Sequence, residues 1–73
     1  MRLTVSFPLD GNWSKNSEKV RKAVKKFHGV EGGSGAGFGK RDIDFDFKKE
    51  KDLDAARTAI EKLKIEGLEL SEY

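Results

Sequence analysis

Apolar and polar residues alternate with period two in three stretches of the chain, and fall at helical spacing in two others. Residues 3–9 place Leu3, Val5, Phe7 and Leu9 on one side and Thr4, Ser6 and Pro8 on the other. That is the pattern of a half-buried strand, ended by Pro8 and the turn pair Asp10-Gly11. From Ser14 to His28 the apolar positions become Val20, Ala23, Val24 and Phe27, with Trp13 one heptad before Val20. This stripe predicts a helix with Asn12 or Ser14 as N-cap and Gly29 as the stop. Residues 41–48 return to period two, with Ile43, Phe45 and Phe47 on one face and Asp42, Asp44 and Asp46 on the other. Lys48-Lys49-Glu50-Lys51 reads as a charged turn, after which Asp52 caps a second helix striped by Leu53, Ala56, Ala59, Ile60 and Leu63. Beyond Gly67, Leu68 and Leu70 alternate with Glu69 and Ser71 in a last short strand.

Three strands and two one-sided helices predict a two-layer α+β sandwich. The undecided stretch is residues 29–39, which holds six of the eight glycines. As a loop it would be a long structureless excursion, which compact domains avoid. As a strand paired in a hairpin with residues 41–48, it makes the order βαββαβ, a ferredoxin-like fold with both helices on one face of an antiparallel sheet. The hairpin is the better expectation. At 73 residues the chain is read as a single domain, 1–73.

The glycine tract Gly32-Gly33-Ser34-Gly35-Ala36-Gly37-Phe38-Gly39 invites comparison with phosphate-binding loops, and fails it. No register gives Gly at relative positions one, three and six. Against the Walker A pattern, Ser34 stands where the first Gly belongs and Arg41 where the hydroxyl belongs. Both motifs lead from a strand into a helix, whereas this tract follows a helix and precedes a strand. What remains is Gly33, Gly35, Gly37 and Gly39 at period two, a strand with one face bare and open to close approach. Gly33, Gly35, Gly37, Phe38, Gly39, Lys40 and Arg41 therefore form the candidate binding segment.

Other chemistry is thin. Asp42-x-Asp44-x-Asp46 imitates the start of a calcium loop, but Phe47 and Leu53 stand where Gly and the bidentate Glu are required. The aspartates read instead as an exposed strand face, opposite Arg2 or Lys40. With no cysteine and one histidine, thiol chemistry, disulfides, His/Cys zinc sites and His-based triads lack their members. His28 reads as a helix-end cation, and Trp13 as a staple or partial core residue. No catalytic residue, metal site or cofactor is assigned.

Charge adds one further candidate. Net charge is +2, yet residues 1–40 carry eight Lys/Arg against three Asp/Glu, and residues 41–73 carry seven against ten. Lys15, Lys19, Lys22 and Lys26 make the first helix basic, and Lys40-Arg41 could extend that face toward a phosphate. Gly37-Phe38-Gly39 also echoes an RNA-recognition motif. There, however, the central strands show aromatics on the open face, where this chain shows aspartates. The N-terminus lacks a signal peptide's apolar region, and no run approaches the ~18 apolar residues of a membrane span. A cytoplasmic domain that does not enter the membrane is expected.

The tract Gly33-Ser34-Gly35-Ala36-Gly37-Phe38-Gly39-x-x-Asp42-Ile43-x-Phe45 resembles one found in small uncharacterised bacterial proteins of ferredoxin-like fold. The resemblance covers residues 32–60. It implies that fold and transfers no functional residue. The function expected is a small non-enzymatic interaction module, binding a protein partner or forming a homodimer through the glycine-rich hairpin edge. The alternative is nucleic-acid or nucleotide-phosphate binding by the basic helix with Lys40 and Arg41.

Overall fold

Alternation along the strands and the two helical stripes meet in one core. The structure, a computed structural model, describes residues 1–72. The elements run β1 (Arg2–Pro8), α1 (Trp13–Lys26), β2 (Val30–Gly37), β3 (Lys40–Asp46), α2 (Glu50–Glu61) and β4 (Glu69–Glu72). All four strands pair antiparallel in one sheet of order β2-β3-β1-β4. This is the ferredoxin-like α+β sandwich, and residues 30–37 are a strand rather than a loop. Leu3, Val5, Phe7, Ile43, Phe45 and Phe47 from the sheet side bury against Val20 and Val24 of α1 and Leu53, Ala56 and Ile60 of α2. Each large side chain so buried stabilises the fold by about 1.5–3 kcal/mol relative to exposure. Pro8 is tolerated because it lies opposite Lys40 at the end of the ladder, while Leu9 resumes the pairing by donating its N–H to the Gly39 carbonyl at 2.8 Å.

The helix ends differ from expectation in ways that local chemistry explains. Around α1 the left-handed position falls on His28 (φ 65°), not on Gly29. His28 N–H donates to the Lys25 carbonyl and Gly29 N–H to that of Val24, the double closure of a Schellman motif. Gly29 is required for space instead. A Cβ there would lie 2.3 Å from Val24 Cγ1 and 2.7 Å from the Phe47 ring. At the start of α1, Asn12 holds the N-cap position without a side-chain cap, and the Asp10 carboxylate accepts the Asn12 N–H at 2.8 Å. Helix α2 begins at Glu50, inside the stretch expected as a charged turn, with Lys49 at the N-cap. Asp52 thus lies in the first turn, where with Glu50 it faces the positive end of the helix dipole. Trp13, expected as a staple or core residue, is 40% exposed and lies under the Arg41 guanidinium. No helix among the described residues is long and apolar enough to cross a membrane.

Candidate functional site

β2 is an edge strand, and it is nearly bare. Of its eight residues, seven are exposed and Gly33 is half-buried. From Gly32 to Gly37 it carries no charge and nothing larger than Ser34 and Ala36. The register sets Gly33, Gly35 and Gly37 beside Asp44, Asp42 and Lys40, with Ser34 beside Ile43. The glycines therefore lie on the sheet's open face, away from the helices. None of the three adopts positive φ, and a Cβ on Gly35 or Gly37 would meet nothing within 4 Å. Their conformation and surroundings do not call for glycine.

The hairpin turn is more strained than the strand. Phe38 and Gly39 both have positive φ (53° and 75°), which defines a two-residue turn of type I′. Gly39 suits that position, whereas a bulky aromatic at positive φ is an outlier. The Phe38 ring is fully exposed, at 109%. At the other end of β2, Val30 is 66% exposed. An exposed apolar residue thus flanks each end of the bare edge.

On the open face, Asp42, Asp44 and Asp46 line β3 as expected, while Phe45 and Phe47 face the helices. Thr4 Oγ1 donates to Asp44 Oδ1 at 2.7 Å, and Arg2 Nε to Asp46 Oδ1 at 3.0 Å. The hydrogen bond from Arg2, strengthened by its charge, holds the Asp46 carboxyl below the ordinary carboxylate range and raises the Arg2 guanidinium in turn. Among the described residues this face offers no aromatic platform for stacking bases, and no three His, Asp or Glu side chains gather as metal ligands.

The remaining candidates divide between the faces. Lys40 lies on the open side and pairs with Glu69 of β4 at 2.7 Å rather than with an aspartate. Arg41 points to the helix side, its guanidinium 5.4 Å from the Trp13 ring centroid and its Nε buried without an acceptor. Neither extends the lysines of α1. Lys19, Lys22 and Lys26 line a furrow between α1 and α2, and Lys15 lines the adjoining depression with Asp10 and Glu66. The sequence reading did not single out Val30 or Lys62, which complete the edge and the furrow. Val30 directly follows Gly29, so its place at a strand end was readable. Lys62 required knowing how α2 packs beside α1. No family model matches the chain, and no curated protein is significantly similar to it.

Proposed function

We propose that this protein is a small non-enzymatic interaction module that associates through the outer edge of β2, with a second copy of the chain as the occupant. The observation that carries this reading is the edge itself, eight residues long and without charge or bulk from Gly32 to Gly37. Exposed strand edges pair with other strands unless charge, proline or a covering element prevents it.

Strand geometry narrows the pairing. In a two-residue hairpin the closing pair, here Gly37 and Lys40, is hydrogen-bonded, and such pairs then alternate. Ser34 and Ala36 accordingly direct their backbone groups away from β3. A two-fold axis at Ser34 pairs the Ser34 groups with their own copies and brings Ala36 to the bulge at Gly32 of the other chain, a stretch that carries no charge. It also brings the Val30 end of each edge to the hairpin turn of the other chain, where Phe38 is exposed. Covering both Phe38 rings buries about 300–500 Å² in addition to the paired edges. The separation of Lys40 and Arg41 from the α1 lysines favours this reading over a phosphate site built from all of them.

Sedimentation equilibrium across a concentration series tests the proposal. Wild type should behave as a monomer–dimer equilibrium. Ser34→Pro should be monomeric with an unchanged core spectrum, because proline removes an outward N–H that β3 does not use. A wild type that stays monomeric at millimolar concentration, or a Ser34→Pro protein that dimerises equally well, overturns it.

A further inference from the structure

We infer that the furrow between α1 and α2 is a docking site for an acidic amphipathic helix of a partner protein, a surface separate from the β2 edge. Its floor is apolar, made by Ala23 of α1 and Phe27 at its C-cap, with Ala55, Ala59 and Leu63 from the α2 side. The alanines keep it low, and the furrow encloses about 760 Å³. Phe27 and Leu63 lean on the core without being covered, so apolar surface remains in excess of what the sheet takes up.

The rim is cationic. Lys19, Lys22 and Lys26 stand at spacings of three and four residues along one side of α1, and Lys62 joins them from the end of α2. No Asp or Glu lines the furrow, and among the described residues none of these four lysines makes an ion pair. Four unneutralised cations around an apolar floor call for an occupant with apolar anchors and flanking carboxylates.

Shape and size choose among anionic partners. From Lys19 to Lys26, α1 advances about 10 Å, which holds roughly two turns of an incoming helix and two anchors a turn apart. A nucleic acid would engage the lysines and leave the floor uncovered. A bilayer would require apolar side chains that protrude, and here they lie recessed between two helices.

Calorimetry and amide-shift mapping on the full chain test the inference, using a helical peptide with two leucines one turn apart flanked by glutamates. Saturable binding with shifts at Ala23, Phe27, Ala59 and Leu63 is expected. Lys22→Glu with Lys62→Glu should weaken it at least tenfold, and Lys22→Gln with Lys62→Gln serves if that pair perturbs the fold. Peptides with serines for the leucines, or lysines for the glutamates, should not bind. The inference is overturned by no response, by equal binding of the serine peptide, or by tighter binding of single-stranded oligothymidine or phosphatidylglycerol-containing vesicles. None of these outcomes bears on β2, whose test is the association state.

Discussion

Gly29 and Gly35 carry the same side chain for different reasons. At Gly29 a methyl group would run into Val24 and Phe47, both core residues, so Gly29→Ala should destabilise the protein by about 1–3 kcal/mol. At Gly35 nothing stands within 4 Å and φ is ordinary, so Gly35→Ala should stabilise it by about 0.5–1 kcal/mol through the unfolded state. Urea midpoints of the two variants check both signs. Phe38 is the converse case, a residue that burdens the monomer. A non-glycine side chain in the left-handed region costs on the order of 1 kcal/mol, and the exposed ring gains nothing from burial. Asparagine is favoured at that turn position. Phe38→Asn should therefore raise monomer stability by up to about 1 kcal/mol while weakening association, a trade seen by measuring melting and sedimentation on one sample. If it lowers monomer stability, the ring supports the fold and is not held for a partner.

Elements were more legible than their ends. Period two gave β1 and β3 because one face of each is buried, and the stripe of α1 gave the helix because Val20 and Val24 meet the sheet. β2 has no such stripe, since from Gly33 to Gly37 its open-face positions are glycine and its helix-side positions are only Ser34 and Ala36. Only the improbability of a long loop argued for a strand there. The caps were less readable because several residue types could serve. Asp52 looked like an N-cap by residue type, but the extended conformation of Lys49 moved the start of α2 three residues earlier. Gly29 looked like the left-handed stop, but packing against Phe47 claimed it and His28 took the strained position. Where two demands fall on neighbouring residues, sequence shows that a turn is present and not which residue bears which demand.

At the scale of the molecule, charge sorts by layer as much as by chain position. Asp42, Asp44 and Asp46 face outward from the sheet, while Lys19, Lys22 and Lys26 border the furrow in the helix layer. The split between a basic and an acidic half was visible in the sequence, but Lys62 comes from the acidic half, so the furrow was not. Pairing of two copies through β2 would extend the sheet to eight strands and leave both helix layers on one side, so that two lysine-rimmed furrows open in the same direction. The two surfaces share no residue, and their energetics should be nearly additive. Ser34→Pro should leave the affinity for a single acidic peptide unchanged, and Lys22→Glu with Lys62→Glu should leave dimerisation unchanged. Two peptide segments joined by a flexible linker long enough to bridge the furrows should then bind the wild type about 10²-fold more tightly than one segment, by effective concentration alone. Ser34→Pro should abolish that gain. A gain that survives in the monomeric variant would mean that the second segment binds elsewhere on the same chain.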